Sequence, residues 1–167
     1  SYLPRKFKIA VTGAERDRAA IKTHDIGLHL KKNEQGELGF AVYVGGGLGR
    51  TPIVAKKLRD FLPQEHLLSY VTAILRVYNL HGRRDNKYKA RIKILVHETG
   101  TEELASWVEA EWQALKDGEL KLPEQDVAAI QSYFAPPQLS PRPEGDEIVR
   151  VAKLDSRAFG EWLGQNV

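Results

Sequence analysis

The chain has 167 residues, of which 42% are apolar, enough for one compact domain with a core or for one domain with an appended piece. It contains neither cysteine nor methionine, which excludes disulfide bonds, thiolate metal ligands and a nucleophilic thiol. No segment approaches the roughly 18 uninterrupted apolar residues of a membrane span, and residues 1–8 lack the apolar run of a secretory signal. We therefore expect a cytoplasmic protein with no membrane partner.

The charge is divided unevenly along the chain. Residues 1–100 contain 19 Lys and Arg against 9 Asp and Glu, a balance of +10, whereas residues 101–167 contain 6 against 13, a balance of −7. The first part therefore suits an anionic partner such as nucleic acid, a phosphorylated ligand or a polycarboxylate cofactor. Because Ser1 is not a methionine and the chain stops within an apolar helical pattern, we expect it to be a piece of a longer polypeptide.

The first predicted element is a strand over residues 6–11. Phe7, Ile9 and Val11 alternate with other residues, the period of a half-buried strand. Lys6 and Lys8 would then project from one face roughly 7 Å apart, a spacing that lets both ammonium groups meet one small oxyanion. An ordinary solvent-exposed strand face would show the same pattern.

A β-hairpin and a glycine-rich loop follow. Alternating apolar residues at 26–30 and 38–44, separated by turn residues at 33–36, predict two paired strands. The second strand ends at Gly45-Gly46-Gly47-Leu48-Gly49, whose backbone N–H groups suit an anion or a flat cofactor. The loop has neither the Walker nor the dinucleotide-binding spacing, and an ordinary flexible connection is the alternative.

Helical spacing dominates from residue 51 onward. A helix capped by Thr51 and three further helices are predicted at 51–62, 67–81, 83–99 and 101–115, and another at 124–134 with Val127, Ile130 and Phe134 inward. In the basic segment Arg83 to Lys93, the helix would place Arg84, Lys87 and Arg91 on one face, which suits a row of carboxylates or phosphates. A solvated helix face is the alternative.

The end of the chain is predicted to contain a linker and a second module. Four prolines lie between Ala135 and Glu147, which indicates an extended linker at residues 135–147. A strand at 148–154 and a helix capped by Asp155 follow. We therefore expect an α+β fold in which a mixed, antiparallel-rich sheet packs against helices in residues 1–134, and a truncated module at 148–167.

The sequence offers charge and backbone donors but no covalent machinery. The five histidines include no pair at i, i+4 and no acidic partner at metal-ligand spacing, so no metal site is predicted. There is no nucleophile elbow and no carboxylate pair at acid–base spacing. The residues therefore favour binding and electrostatic stabilisation.

Three segments together resemble the siroheme-binding half of the nitrite and sulfite reductase family. They are Leu3-Pro4-Arg5-Lys6-Phe7-Lys8, the loop Gly45 to Gly49 and the segment Arg83 to Lys93, and their order and spacing agree with that family. The resemblance covers about residues 1–115, and residues 148–167 resemble the start of the family's next ferredoxin-like half-domain. It implies a fragment, inactive alone, of an enzyme that reduces sulfite to sulfide or nitrite to ammonia.

The resemblance also implies roles for individual residues. Lys6 and Lys8 would meet the substrate oxyanion at siroheme, while the other candidate residues would approach the macrocycle and its carboxylates: Gly45, Gly46, Gly47, Arg84, Lys87 and Arg91. The intact protein would hold a 4Fe–4S cluster whose cysteine ligands are absent from this chain. Its partners would be ferredoxin or a flavoprotein as electron donor, and the rest of its own polypeptide.

A basic module that binds nucleic acid or phosphate is the alternative function. Its support is the same +10 charge balance. The chain lacks the interleaved aromatic residues expected of single-strand binding and any recognisable groove-reading motif. A nucleic-acid partner is therefore not expected.

Overall fold

A computed structural model describes residues 2–139 and 145–166. The chain divides into two compact units, Ser1–Ile130 and Gln131–Val167. The described residues contain a four-stranded sheet and six α-helices, which confirms the predicted α+β class. None of the described helices has the length and apolar composition of a membrane span.

The sheet has four strands arranged in chain order. They are β1 (Ile9–Thr12), β2 (Ile26–Lys32), β3 (Leu38–Val44) and β4 (Lys56–Pro63). β1 pairs with β2 in parallel, whereas β2–β3 and β3–β4 are antiparallel. The mixed, antiparallel-rich sheet predicted from the alternation is therefore confirmed.

The β2–β3 hairpin forms where its turn residues predicted it. The side-chain oxygen of Asn33 accepts hydrogen bonds from the N–H groups of Gln35 at 3.1 Å and Glu37 at 2.8 Å. Gly36 has a φ of 82°, in the left-handed region that a glycine enters without strain. The turn chemistry is local, and it fixes the register of the two strands.

The helices have the following bounds: α1 (Leu67–His81), α2 (Ile92–Thr99), α3 (Thr101–Gln113), α4 (Glu124–Tyr133), α5 (Gly145–Asp155) and α6 (Arg157–Asn166). The stripes predicted for α1 and α3 are correct, since Ile74 and Tyr78 of α1 and Leu104 and Val108 of α3 are buried. They pack with β2, β3 and β4 residues into one apolar core.

A polar cluster joins the sheet to two helices at the edge of this core. The guanidinium of Arg59 on β4 donates to both carboxylate oxygens of Glu109 at 2.8 and 2.9 Å, and it lies 4.5 Å from the ring centre of Trp112. The Tyr70 hydroxyl donates to Glu109 at 2.7 Å, and the Trp112 indole N–H donates to Ser69 Oγ at 3.1 Å. These bonds satisfy polar groups that burial would otherwise leave unpaired.

The helix predicted at residues 51–62 is wrong, because this segment contains β4. Its pairing with β3 has register shifts between Phe40 and Val42 and between Val42 and Tyr43, which mark a β-bulge or irregularity. A bulge breaks the period-two alternation of a strand. The apolar residues of β4 therefore had a spacing that matched a helix.

The first strand begins later than predicted, and its apolar side chains are exposed where the prediction had them half-buried. β1 starts at Ile9, so Lys6 and Lys8 precede the strand and do not share a strand face. Ile9 and Val11 are 41% and 54% exposed, while Thr12 is buried. β1 lies at the edge of the sheet, where its apolar side chains receive less cover than those of β2 and β3.

The helix predicted from residue 83 is also wrong, because α2 begins only at Ile92. Arg83 donates to the carboxylate of Asp85, and the N–H of Tyr88 donates to the side-chain oxygen of Asn86 at 2.9 Å. An Asn side chain that binds a nearby backbone N–H in this way competes with helix formation. Arg91, immediately before α2, has extended backbone with a ψ of 147°.

In α4, the prediction that Ile130 and Phe134 face inward is wrong. Phe134 is 81% exposed, Ile130 is exposed and Val127 is half-buried. The apolar residues of α4 are consecutive from Val127 to Ile130, so they do not form a stripe on one side of the helix.

The strand predicted at residues 148–154 is wrong, because α5 covers this segment. Ile148, Val151 and Ala152 lie at helical spacing, and the Arg150 guanidinium pairs with Glu147 three residues earlier. A helix satisfies its own backbone hydrogen bonds, whereas a strand needs a partner.

The helix after residue 155 exists, but its cap is one residue later than predicted. Ser156, and not Asp155, accepts the N–H of Phe159, at 3.2 Å. In the predicted linker, residues 140–144 lie outside the described residues.

Candidate functional site

A cavity of about 610 Å³ lies in the first unit and is lined mainly by cations. Five cationic residues face it against a single acid, Glu98: Arg5, Arg50, Lys89, Arg91 and Lys93. Its other lining residues are Leu48, Thr51, Tyr88, Ile94 and His97. The cavity therefore suits an anionic ligand that also has apolar surface.

Three segments that are distant in sequence build this cavity. Arg5 comes from the segment before β1, and Leu48, Arg50 and Thr51 come from the loop between β3 and β4. The loop before α2 and α2 itself provide the remaining residues. The fold thus brings together the three segments that the sequence singled out.

The glycines of the loop after β3 lie behind the cavity lining. A Cβ atom on Gly45 would lie 2.7 Å from Val96 Cγ2, and one on Gly46 would lie 2.4 Å from the carbonyl oxygen of Lys22. Gly45 also has a φ of 87°. These glycines let the loop pack closely against α2 and residues 22–24, so that Leu48, Arg50 and Thr51 reach the cavity.

Lys93 anchors the loop between β3 and β4 through its ammonium group. The residue is only 7% exposed, and its ammonium donates to the carbonyl oxygens of Leu48 at 3.2 Å and Thr51 at 2.5 Å. Because a buried ammonium needs hydrogen-bond acceptors, these two carbonyls stabilise Lys93 and Lys93 in turn fixes the loop.

Asp25 joins the same three segments through four hydrogen bonds. Its side chain, 0% exposed, accepts from Arg91 Nε at 2.9 Å and from a terminal guanidinium nitrogen of Arg91 at 2.5 Å. It also accepts the backbone N–H of Lys8 at 2.9 Å, and the Asp25 carbonyl accepts the N–H of Gly45 at 2.9 Å. A buried carboxylate with this number of donors is well satisfied.

The predicted lysine pair lies next to the cavity along the chain and not among its lining residues. Lys6 and Lys8 are exposed, and Lys6 directly follows the cavity residue Arg5. The N–H of Lys8 is bound by Asp25, and its carbonyl accepts the N–H of Ile26 at 3.1 Å. The backbone of Lys8 is therefore fixed, while its side chain is exposed.

The predicted basic face of Arg84, Lys87 and Arg91 does not form, because the segment is not helical. The Arg84 guanidinium donates to the carbonyl oxygens of Tyr2 and Asn79, each at 2.9 Å. The Arg84 side chain thereby joins the first residues of the chain to the end of α1, and only Arg91 of the three lines the cavity.

Lys87 makes one backbone contact and one side-chain contact. Its carbonyl oxygen accepts a hydrogen bond from the Arg5 guanidinium, and its ammonium lies 5.2 Å from the ring centre of Tyr88. Arg91 lines the cavity but is paired with Asp25. Within this basic segment, Lys89 and Lys93 also line the cavity.

Sequence reasoning missed Arg5, Arg50, Lys89, Lys93 and Asp25. Arg5 stands in the same motif as Lys6, and Lys89 and Lys93 stand in the same basic segment as Arg91. Asp25 had a weaker signal, as one of only 9 acids among the first 100 residues.

The described residues contain no group of three or more His, Asp or Glu side chains that could hold a metal ion. His29 Nε2 lies 3.0 Å from the carbonyl oxygen of Ala14, and His81 stacks on Trp107 with ring centres 4.1 Å apart. Burial raises the pKa of the Tyr78 hydroxyl, which donates to the carbonyl oxygen of Ala90 at 2.7 Å and lies 3.2 Å from that of Arg5. Tyr78 is therefore a structural donor beneath the site.

Comparison with known proteins finds sequence similarity over the part of the chain that contains this cavity. Residues 1–116 match the family described as "Nitrite and sulphite reductase 4Fe-4S domain". The chain is 42% identical over 116 residues to a ferredoxin sulfite reductase of Synechococcus elongatus, covering 65% of this chain and 19% of the relative. It is 38% identical over 140 residues to an assimilatory ferredoxin-dependent nitrite reductase of Haloferax mediterranei, covering 81% of this chain and 23% of the relative.

A solved structure shares the fold. The Mycobacterium tuberculosis NirA protein superposes with a TM-score of 0.61 and 27% identity, over 73% of this chain and 22% of that one. The chain thus spans about a fifth of the length of the relatives it matches.

Proposed function

Because this chain belongs to the nitrite and sulfite reductase family, we propose that it supplies part of the siroheme pocket and of the substrate-anion site of such a reductase. The complete enzyme would reduce sulfite to sulfide or nitrite to ammonia. The observation that carries the proposal is the cavity lined by five cations and one acid. Family membership favours this function over a nucleic-acid-binding module.

The cavity residues fit siroheme, a flat macrocycle that carries carboxylates. Arg5, Arg50 and Lys89 would pair with carboxylates, and charge-assisted hydrogen bonds of this kind are stronger than neutral ones. Leu48 and Ile94 add apolar surface for the ring. Siroheme, when bound, would supply the redox chemistry.

Lys6 and Lys8 would bind the substrate oxyanion. Both side chains are exposed; Lys6 directly follows the cavity residue Arg5, and Lys8 lies two residues further along the chain. Two ammonium groups neutralise a small oxyanion and donate hydrogen bonds to its oxygens, and they can supply protons as charge builds up on the substrate. In this proposal, Arg91 is excluded from substrate binding because Asp25 occupies its guanidinium.

The chain does not fit the 4Fe–4S cluster that its family description names. It contains no cysteine, and such clusters are held by thiolates. We propose that the cluster ligands belong to another part of the reductase. Ferredoxin, which both relatives' names give, would be the electron donor, with a flavoprotein as the alternative; assays of the complete reductase with each reduced donor distinguish the two.

The direct test is a titration of the purified chain with siroheme, followed by absorbance. The unsubstituted chain should bind and shift the siroheme spectrum. The double variant Arg50→Gln/Lys89→Gln should bind about tenfold more weakly, because two charge-assisted contacts are lost.

The double variant Lys31→Gln/Lys32→Gln is the matched control. It makes the same change in net charge, and both lysines are exposed at the end of β2, outside the cavity lining. Equal weakening in both double variants would mean that only overall charge attracts the macrocycle. An unchanged spectrum with the unsubstituted chain would refute the proposed function.

A further inference from the structure

Lys8 is the residue of the lysine pair whose backbone is held on both sides by consecutive residues. Its N–H donates to the Asp25 carboxylate at 2.9 Å, and its carbonyl accepts from Ile26 N–H at 3.1 Å. Both bonds lie just before the β1–β2 pairing, which begins with Ile9 opposite Ile26. Asp25 therefore continues the strand pairing by one residue, with a side chain in place of a backbone carbonyl.

The Asp25 carboxylate has a second binding partner that ties this position to the cavity. Two guanidinium nitrogens of Arg91 bind its two oxygens, at 2.9 and 2.5 Å. Arg91 immediately precedes α2 and lines the cavity. Because Asp25 is fully buried and its pair with Arg91 is bidentate, the Asp25 carboxylate, the Arg91 guanidinium and the Lys8 N–H are fixed relative to one another.

We propose that Asp25 is a positioning residue that acts through Lys8: it holds the lysine backbone beside the cavity so that the Lys8 ammonium reaches the substrate oxyanion. This inference rests on the proposed function. Asp25 does not touch the oxyanion itself, since its carboxylate is buried and saturated by Arg91 and Lys8. A repulsive negative charge is thus kept from the substrate while its hydrogen bonds set the lysine in place.

The test uses the ¹⁵N-labelled chain titrated with sulfite and followed by NMR at the backbone amides of residues 6 and 8, which every variant retains. Asp25→Asn should raise the sulfite Kd about fivefold, because Lys8 loses its fixed position and Arg91 loses its charge partner. Asp60→Asn is the matched control: it makes the same change in charge at an exposed residue of β4. The control should leave the sulfite Kd unchanged.

A double-mutant cycle separates positioning from a general structural effect. If Asp25 acts through Lys8, then Asp25→Asn adds nothing to the weakening already caused by Lys8→Ala. Independent, additive effects of the two substitutions would overturn the inference. If Asp25→Asn fails to fold, Asp25→Glu takes its place in the same cycle, because it keeps the charge but displaces the carboxylate.

The outcomes also separate this inference from the proposed function. If siroheme binds and sulfite shifts the Lys8 resonances, but folded Asp25→Asn or Asp25→Glu binds sulfite as tightly as the unsubstituted chain, only the role of Asp25 is overturned. If sulfite leaves Lys8 unshifted in the unsubstituted chain, the substrate role of the lysines fails and the role of Asp25 fails with it.

Discussion

The Tyr78 hydroxyl donates a hydrogen bond to the carbonyl oxygen of Ala90 at 2.7 Å, which ties the middle of the site to α1. The same hydroxyl lies 3.2 Å from the carbonyl oxygen of Arg5. Tyr78 and Ala90 are both buried, so water does not replace the hydrogen bond between them. One phenol in the core therefore holds two of the three segments that line the cavity.

Replacing Tyr78 by Phe should lower the free energy of unfolding by about 1–3 kcal/mol, because the buried carbonyl oxygen of Ala90 loses its donor. Denaturant unfolding measures the change. Tyr88→Phe is the control, since Tyr88 is exposed and should lose less than about 0.5 kcal/mol. Equal stability of the two variants would contradict a structural role for the Tyr78 hydroxyl.

Gly46→Ala should destabilise the chain by more than about 3 kcal/mol, because the new Cβ has no room to relax. It would lie 2.4 Å and 2.6 Å from the carbonyl oxygens of Lys22 and His24. Gly13→Ala is the comparison, because its Cβ would meet only Leu30 Cδ2 at an ordinary 3.7 Å. Thermal unfolding of both variants measures the difference in stability between them. A small loss of stability in Gly46→Ala would show that the loop moves to make room for the Cβ atom.

Lys93→Met should cost about 1–3 kcal/mol, because the carbonyl oxygens of Leu48 and Thr51 lose a buried donor. The loop should also open more often. The N–H of Ile53, which donates to Gly47 at 2.9 Å, should then exchange with solvent faster. Lys89→Met removes an exposed lysine of the same cavity and should leave the exchange rate of the Ile53 N–H unchanged. An exchange rate in Lys93→Met no faster than in the unsubstituted chain would contradict the role of Lys93 in holding the loop.

The turn before α2 should weaken in acid. A hydrogen bond from Arg83 lowers the pKa of Asp85 to about 2. Because the folded pKa lies below the unfolded value of about 3.9, the stabilisation is present above about pH 4 and is lost as the pH falls toward 2. NMR titration of the Asp85 carboxyl checks this: Arg83→Gln should move its pKa back up, and Arg76→Gln should not.

In the complete reductase, Lys6→Ala and Lys8→Ala should each lower turnover by roughly tenfold or more, because charge on the bound oxyanion is no longer neutralised. The absorbance of bound siroheme should not change, since neither lysine lines the cavity. Lys31→Ala serves as the control at an exposed lysine outside the lining. Full turnover in both lysine variants would exclude their substrate role.

The elements predicted correctly are those whose signals are local. Asn33 and Gly36 specify the hairpin turn within a few residues, and the apolar stripes of α1 and α3 recur every three or four positions. β4 was mistaken for a helix because its irregular pairing depends on β3. The helix expected after Arg83 failed because the Asn86 side chain binds the backbone N–H of Tyr88, and the Asp85 carboxylate pairs with the Arg83 guanidinium two residues earlier.

The candidate site was predictable in its charge and not in its geometry. The basic segments of the sequence predicted which parts of the chain line the cavity, and Arg91 is among the lining residues. No local pattern shows that a carboxylate 66 residues away neutralises it. The three glycines likewise have a clear pattern, but only the fold shows that Val96 and Lys93 fill the space beside them.

The contacts that assemble the cavity also bear on the order of folding. Tyr78 binds Arg5 across 73 residues and Arg91 binds Asp25 across 66, whereas the β2–β3 turn closes within five residues. Short loops close sooner than long ones, because less chain entropy is lost. We therefore expect the hairpin and the helices to form before the cations converge, so that a newly made chain would have most of its secondary structure before it has a binding cavity.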